Sequence, residues 1–189
     1  MVHPAGRRTI DAMSQPPPPV CLIVSKYHAE VTSALRDAAE GVYLARGGDR
    51  AHLGVIEAPG TFELVALAAT AADCGLYDAV CCLGCVVKGE TEHDRYINQA
   101  VASGLAQISV QSGVPVAFGV ITANSDEQAR DRAGGAHGNK GAEAMDAVLD
   151  ALAAQEALAD AAQAAEAGVR FSLDRTPAKP GVGAGGGVR

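Results

Sequence analysis

The chain has 189 residues, of which 48% are hydrophobic and 20% are charged, so it can bury the core of one compact domain and is not wholly disordered. Its 15 Lys and Arg stand against 22 Asp and Glu, which gives a formal net charge of -7. Proteins that bind nucleic acid usually carry the opposite charge, so we expect no nucleic-acid partner. No apolar run is long enough to span a bilayer, and Pro16 to Pro19 stand where a signal peptide would need apolar residues. We therefore expect a cytoplasmic protein without a membrane partner.

Apolar runs alternate with stretches of helical spacing along most of the chain. Short apolar runs predict strands buried on both faces, and apolar residues three and four apart predict helices. The predicted strands are 20–25, 53–56, 79–87 and 116–121, and the predicted helices are 30–45, 62–74, 91–111, 125–133 and 142–167, with a Gly-rich break between the last two. This alternation predicts an α/β fold with a four-stranded parallel sheet that has helices on both faces. We expect residues 20–168 to form one domain, flanked by a flexible Pro-rich tail (1–19) and a flexible Gly-rich tail (169–189).

The five cysteines lie mainly in one apolar run, where Cys82 and Cys85 form a C-x-x-C pattern. A zinc site would need a second pair of ligands, and no matching Cys or His pair occurs elsewhere in the sequence. A redox pair would begin a helix, whereas residues 79–87 are predicted to form a buried strand. We interpret these cysteines as core thiols and predict no metal site.

Ligands of parallel α/β folds bind at the carboxyl ends of the strands, which directs attention to the loop KGETEH after the third predicted strand. Gly89 permits a tight turn there, and the amides of Glu90 and Thr91 begin a helix whose N-terminus favours an anion. His93 lies in the first turn, where the positive helix end favours a neutral imidazole that can act as a base. The alternative is a surface histidine beside an ordinary helix cap, with a capping box formed by Thr91 and Asp94.

Two further segments carry candidate binding residues. After the second predicted strand, Phe62 could pack against a ring and Glu63 could accept hydroxyl protons, or Phe62 could lie in the core and Glu63 could complement the helix dipole. Arg132 ends a charged helix, where it is either a helix-end charge or a phosphate clamp. The following glycines (134–141) do not form a Walker A loop, because the G-K-[ST] ending is missing.

Five stretches of the chain resemble the lumazine synthase family in order and spacing, from about Val20 to Leu152. They are PGTFEL (59–64), LGCVVKGETEH (83–93), FGVIT (118–122), EQARDRAG (127–134) and GNKG (138–141). The resemblance implies a flavodoxin-like three-layer α/β/α sandwich without a metal or redox cofactor. It also implies a transferase reaction, the penultimate step of riboflavin biosynthesis. That reaction condenses 5-amino-6-(D-ribitylamino)pyrimidine-2,4-dione with 3,4-dihydroxy-2-butanone 4-phosphate to 6,7-dimethyl-8-ribityllumazine, and releases phosphate and water.

The resemblance also assigns roles to single residues, with His93 as the general acid and base. It assigns contact with the pyrimidine and its ribityl chain to Tyr27, Thr61, Phe62, Glu63, Cys85, Val86, Val87 and Phe118, and contact with the phosphate to Glu90, Thr91, Arg132 and Lys140. Three positions depart from the family. Asp94 and Arg95 stand where an aromatic residue and an acid usually follow the histidine, and Tyr27 stands where Phe or Trp is more usual.

The resemblance implies a homo-oligomer, at least a pentamer, in which Arg132 reaches the phosphate across a subunit boundary. The Gly-rich break at 134–139 resembles the kink associated with icosahedral shells in the family, with Ala136 where Lys is typical. Pro16 to Pro19, however, cannot donate hydrogen bonds to a neighbour's sheet, so pentamer, decamer and shell stay open. Riboflavin synthase is a candidate partner. The alternative functions are a non-catalytic flavin- or phosphate-binding module and an inactive shell-forming protein. A receiver-type signalling domain fits poorly, because Ser25-Lys26 and Val87-Lys88 stand where it needs acidic residues.

Overall fold

A computed structural model describes residues 18–166, in which an open parallel sheet lies between helices. The strands of the sheet are β1 (Val20–Ser25), β2 (Leu53–Ala58), β3 (Ala79–Val87) and β4 (Val116–Ala123), and the helices are α1 (Ala29–Ala45), α2 (Leu64–Asp73), α3 (His93–Ser112), α4 (Asp126–Asp131) and α5 (Lys140–Glu166). The strand order is β2-β1-β3-β4, and every neighbouring pair is parallel. The predicted α/β class with a four-stranded parallel sheet is confirmed.

The two faces of the sheet carry separate apolar clusters, because successive strand residues face opposite sides. Leu22 of β1 packs in a cluster with residues of α1, α4 and α5, whereas the next residue, Ile23, packs in a cluster with residues of α2 and α3. Cys81 and Cys82 of β3 divide between the two clusters in the same way. Burial raises the pKa of both thiols, that of Cys81 to about 12. Helices therefore cover both faces of the sheet, as predicted, and these cysteines are protonated core residues.

The beginnings of two helices differ from the prediction. Helix α2 begins at Leu64 rather than at residue 62, and α3 begins at His93 rather than at Thr91. The predicted capping box is wrong, because the N-cap residue of α3 is Glu92 and its side chain makes no capping hydrogen bond. The hydroxyl of Thr91 is hydrogen-bonded to the His93 side chain instead.

The Gly-rich break is a small antiparallel hairpin, β5 (Ala133–Gly135) paired with β6 (Gly138–Asn139). Helix α5 begins directly after it, two residues before the predicted start. Asn139 explains this start: its Oδ1 accepts hydrogen bonds from the amides of Gly141 (2.8 Å) and Ala142 (3.3 Å). Its Nδ2 donates to the Ala34 carbonyl of α1 at 3.1 Å, which ties the beginning of α5 to α1.

The described residues up to Gln155 belong to one compact unit, and residues 156–166, the last part of α5, belong to a second. Apart from Pro18 and Pro19, the predicted tails lie outside the described residues, so the domain boundaries stay predictions. The carbonyl of Pro18 accepts a hydrogen bond from the Tyr43 hydroxyl (3.1 Å), which fixes the approach to β1. Within residues 18–166, no helix is long and apolar enough to cross a membrane.

Candidate active site

The loops after β1, β2 and β3 meet at the carboxyl edge of the sheet. Because β1 lies between β2 and β3, the loop after β2 crosses the end of β1 to reach β3. The crossing is fixed by Thr61, which is buried and whose hydroxyl donates to the Cys85 carbonyl at 3.3 Å. Gly84 leaves room for this contact, since a Cβ there would lie 3.0 Å from the Thr61 side chain. The predicted residues of β2 and β3 are therefore brought together at one edge.

Two aromatic side chains project from this edge instead of joining the core. Tyr27 is 68% exposed and Phe62 is 56% exposed, so the expectation that Phe62 lies in the core is wrong. The Tyr27 amide donates to the Ser25 hydroxyl at 3.2 Å, which shapes the turn after β1. Burying a large apolar ring is favourable. Two exposed rings on the loops after neighbouring strands therefore indicate a surface that binds a flat, partly apolar ligand. Glu63 is also exposed, and its carboxylate can accept hydrogen bonds there.

His93 is the first residue of α3 and lies exposed beside the end of β3. Its Nδ1 is 2.7 Å from the Thr91 hydroxyl oxygen, so the two side chains share a hydrogen bond. Glu90 and Thr91 are exposed in the turn that leads into this 20-residue helix. The unpaired amides of a helix start and its positive dipole end favour an anion beside this histidine.

The last three residues of β3, at the base of the carboxyl edge, are Cys85, Val86 and Val87. The first two are buried, and only Val87 is partly exposed, so their backbone rather than their side chains is offered to a ligand. Burial raises the pKa of the Cys85 thiol to about 11, and the nearby Asp126 carboxylate adds to the rise. The Cys85 thiol is therefore protonated near neutral pH and is not a nucleophile.

The other predicted residues lie elsewhere in the chain. Phe118 pairs with Cys82 in the sheet, four residues before the pair formed by Thr122 and Val86. Four residues of strand span about 13 Å, so Phe118 lies well back from the carboxyl edge. It is 42% exposed on the outer edge of β4, which is the last strand of the sheet.

Phe118 and Lys140 line a cavity of about 460 Å³ between α3, β4 and α5. Arg132 is joined to this group through the backbone, because the Lys140 amide donates to the Arg132 carbonyl at 2.9 Å. We call Phe118, Arg132 and Lys140 the β4-edge group, and the predicted residues of the loops after β1, β2 and β3 the carboxyl-edge group. Within one chain, the described structure keeps Phe118 apart from the carboxyl-edge group.

The Arg132 side chain caps the end of α4 and keeps donors free for a ligand. One guanidinium nitrogen donates to the Gln128 carbonyl at 3.1 Å, as a helix-end charge would. A guanidinium has five N–H donors, so this bond leaves capacity to bind a phosphate. Lys140 forms an ion pair with Glu143 in the first turn of α5. The two interpretations of Arg132 are compatible: the cap orients the group that can clamp an anion.

His28, at the same edge, is not predicted as a site residue from the sequence. His28 has a φ of 54°, a left-handed conformation that is uncommon outside glycine, and its ring lies edge-on to Tyr27 with centroids 5.4 Å apart. Its Nδ1 is 3.7 Å from the Asp126 carboxylate of α4. Strained backbone of this kind clusters at functional sites. The sequence carries no signal for it, because nothing in the turn SKYH marks a left-handed residue.

The carboxyl-edge group supplies a base, exposed aromatic rings and a helix start that favours an anion. Among residues 18–166, no three His, Cys, Asp or Glu side chains lie close enough to hold a metal ion. An open parallel sheet with such residues at its carboxyl edge defines an α/β protein that binds small ligands there.

The model of the 6,7-dimethyl-8-ribityllumazine synthase family matches residues 18–156, nearly the whole described range. The chain is 41% identical over 139 residues to a 6,7-dimethyl-8-ribityllumazine synthase of Sulfurospirillum multivorans, covering 74% of this chain and 89% of the relative. It is 40% identical over 133 residues to the enzyme of that name from Campylobacter curvus (strain 525.92), covering 70% and 85%. The chain therefore belongs to the 6,7-dimethyl-8-ribityllumazine synthase family. The predicted resemblance is confirmed, and nothing supports the alternative of a non-catalytic flavin-binding module.

Proposed function

We propose that the chain condenses 5-amino-6-(D-ribitylamino)pyrimidine-2,4-dione with 3,4-dihydroxy-2-butanone 4-phosphate to 6,7-dimethyl-8-ribityllumazine, a step of riboflavin biosynthesis. Membership of the family is the observation that carries the proposal. The exposed histidine at the helix start beside the carboxyl edge supports it independently. The reaction joins the ring amine to the ketone as an imine, expels phosphate, closes the second ring and releases water.

In this proposal the pyrimidine lies across the carboxyl edge against the exposed rings of Tyr27 and Phe62. Their exposure supports this placement, because a flat heterocycle would cover apolar surface that water now meets. The Glu63 carboxylate accepts hydrogen bonds from the ribityl hydroxyls. The backbone of residues 85–87, at the end of a strand buried on both faces, provides rigid hydrogen-bonding groups for the ring edge.

The butanone phosphate binds at the turn of Glu90 and Thr91, where the start of α3 favours an anion. Arg132 and Lys140 supply positive charge that stabilises the phosphate as it leaves. His93, next to that turn, moves protons during imine formation and dehydration. Holding both substrates side by side supplies much of the acceleration, because a reaction between two molecules becomes a step within one complex.

We also propose that each site is shared between two copies of the chain, in a pentamer or larger assembly. The distance of Phe118 from the carboxyl-edge group supports sharing, since the family role given to Phe118 needs contact with the same substrate. Both outer strands of the sheet have exposed apolar residues, Val55 and Ile56 on β2 and Phe118 on β4. Such edges are normally covered in a finished assembly. We further propose that the chain is located in the cytoplasm and associates with riboflavin synthase.

The direct test mixes the purified protein with both substrates and follows lumazine formation by absorbance, with phosphate release measured in parallel. We expect lumazine and phosphate in equal amounts, and no product when either substrate is left out. The butanone phosphate can react slowly without enzyme, so the rate is compared with a sample that lacks protein. A protein that binds flavin or phosphate and yields no lumazine above that background would contradict the proposal and favour a binding module.

A further inference from the structure

The His93 imidazole is held from two sides by its own loop. On one side, its Nδ1 lies 2.7 Å from the Thr91 hydroxyl oxygen. On the other side, its Cε1 lies against Gly89, where an added Cβ would come within 2.8 Å of that ring atom. The ring edge between Nδ1 and Nε2 therefore faces a glycine that has no side chain to displace it. The hydrogen bond and the space left by Gly89 together favour this orientation of the imidazole.

The hydrogen bond between Thr91 and His93 can run in either direction. A hydroxyl has one proton to donate and two lone pairs that accept, and a neutral imidazole carries its proton on one nitrogen only. When Thr91 donates to Nδ1, the imidazole proton is on Nε2, and Nε2 is a donor. When Nδ1 carries the proton and donates to the Thr91 oxygen, Nε2 is an unprotonated base. The direction of this one bond sets the function of the nitrogen that faces away from Thr91.

Thr91 stands in the turn where the proposed function binds phosphate, and its side chain is exposed to such a ligand. A phosphate oxygen accepts hydrogen bonds and has few protons to give near neutral pH, so a bound phosphate takes the hydroxyl proton of Thr91 as a hydrogen bond. The hydroxyl then has no proton left for Nδ1 and can only accept from it. Phosphate binding and the tautomer of His93 are thereby coupled through one hydroxyl group.

We propose that Thr91 is a positioning residue that converts His93 from the Nε2–H tautomer to the Nδ1–H tautomer when the phosphate substrate binds. This inference rests on the proposed function for the identity of the phosphate ligand. Nε2 gives a proton to water and Nδ1 takes one from water, so the net charge of the imidazole is unchanged. The unprotonated Nε2 of His93 is therefore available as a base only after the phosphate substrate has bound.

The tautomer is read directly by solid-state NMR of the intact, sedimented assembly grown with ¹⁵N-labelled histidine. Protonated and unprotonated ring nitrogens have well-separated shifts, and the His93→Gln spectrum identifies the His93 signals by subtraction. Spectra are recorded with and without saturating inorganic phosphate, whose binding is followed by its ³¹P signal. The pH is kept above the usual range of histidine titration. We expect the His93 proton to move from Nε2 to Nδ1 on phosphate binding.

Thr91→Ser and Thr91→Val are the matched variants, because serine keeps the hydroxyl and valine replaces it with a methyl group of similar size. We expect Thr91→Ser to keep the tautomer change and Thr91→Val to lose it. We expect kcat of the valine variant to fall about tenfold, which is less than the roughly hundredfold or larger effect of removing an acid–base group. An unchanged tautomer in the wild-type protein with phosphate bound, or failure of phosphate to bind, would overturn the inference. So would a tautomer change that persists in Thr91→Val.

Gly89→Ala separates orientation from phosphate binding, because it leaves the Thr91 hydroxyl in place and pushes the ring with a new Cβ. We expect a lower kcat with little change in KM for the phosphate substrate, and an unchanged thermal midpoint. Unaltered kcat in this variant would overturn the claim that the ring orientation matters. If the wild-type protein makes no lumazine and the phosphate-induced tautomer change is still present, the proposed function fails and the coupling stands.

Discussion

Exposure separates the reactive side chains of this chain from its structural ones. The His93 imidazole is exposed at a helix start, whereas the Cys82 and Cys85 thiols of the C-x-x-C pattern are buried with a raised pKa. A buried thiol in an apolar environment disfavours its thiolate, and with it any nucleophilic role. The proposed acid–base chemistry at this edge therefore falls to the imidazole and not to a cysteine.

His93→Gln tests the acid–base assignment. Glutamine keeps hydrogen-bonding capacity but cannot exchange protons, so we expect kcat to fall by about a hundredfold, within the usual range for a general acid–base residue. The assembly size measured by light scattering should not change, because the side chain is exposed. Steady-state kinetics of lumazine formation provide the check. A His93→Gln variant with wild-type kcat would remove the residue from the mechanism.

Arg132→Ala tests the phosphate assignment. A charged hydrogen bond contributes about 1.5–3 kcal/mol, so we expect KM for the butanone phosphate to rise about tenfold or more, with little change in KM for the pyrimidine. Arg130→Ala is the matched control, because Arg130 lies in the last turn of α4, just before the cap formed by Arg132, and is exposed. Its guanidinium lies 3.9 Å from the Glu30 carboxylate. Equal effects of the two substitutions would indicate a general loss of positive charge rather than a specific clamp.

The sequence predicts the role of a residue where its type and its position after a strand suffice, but not where the role depends on contacts made in the folded structure. The turn of Glu90 and Thr91 that leads into α3 is predictable, because glycine and polar residues follow a buried strand. The hydrogen bond between Thr91 and His93 is not predictable, because the same residue pattern is equally compatible with a capping box. The left-handed His28 was missed for a related reason: its conformation is imposed by the surrounding structure rather than by its own preference.

At the scale of elements, long apolar runs were predicted well and their flanks less well. The bounds of β3 agree with the prediction, because nine consecutive small or apolar residues leave little choice. The start of α5 was placed two residues late, because the cap formed by Asn139 depends on a contact with Ala34 that lies 105 residues away in sequence. The hairpin of β5 and β6 was missed, since glycines carry no alternating apolar pattern.

Asn139→Ala tests the role of that cap. The substitution removes two hydrogen bonds to the first turn of α5 and one to the carbonyl of Ala34. We expect the free energy of unfolding to fall by about 1–2 kcal/mol, measured by urea denaturation at constant protein concentration. Gln155→Ala, an exposed change on the same helix, should stay within about 0.5 kcal/mol of wild type. Equal stability of Asn139→Ala and the control would contradict the cap.

At the scale of the whole molecule, the buried thiols make the free energy of unfolding depend on pH in the alkaline range. Burial raises the pKa of Cys21 and Cys85 to about 11 and that of Cys81 to about 12, against 9.0 for a free thiol. A group with a raised pKa in the folded state contributes its full stability below 9.0 and loses it as the pH rises toward the folded value. We therefore expect the free energy of unfolding to decline above pH 9.0, by about 1.4 kcal/mol per pH unit for each thiol.

Cys81→Ala provides the check on that slope. The variant should lose the contribution of one thiol to the decline of unfolding free energy between pH 9.0 and about 12. Val80→Ala is the control, because it shortens a buried side chain of the same strand without removing a thiol, and the slope should not change. An identical alkaline slope in wild type and Cys81→Ala, from urea titrations at each pH, would show that this thiol titrates normally.

The separation of Phe118 from the carboxyl-edge group could not have been derived from residue spacing. Sequence order places Phe118 near the fourth strand, but only the register with Cys82 shows that it lies back from the edge. The family resemblance assigns Arg132 to a neighbouring subunit but does not state which chain supplies Phe118. The distance of Phe118 from the carboxyl edge within one chain is the physical reason for proposing that two copies complete the site.

The central claim is that lumazine forms at sites built from the carboxyl-edge group of one copy and the β4-edge group of another. The most direct measurement is the rate of lumazine formation by an assembly refolded from equal amounts of His93→Gln and Arg132→Ala chains. Random mixing around a head-to-tail ring leaves about a quarter of the sites with both wild-type residues. The rate is measured at butanone phosphate concentrations well below KM, where Arg132→Ala keeps about a tenth or less of wild-type activity and His93→Gln about a hundredth. We expect the mixture to reach about a quarter of wild-type activity. A mixture no more active than its parents, beside an active wild-type protein refolded in the same way, would contradict the shared site.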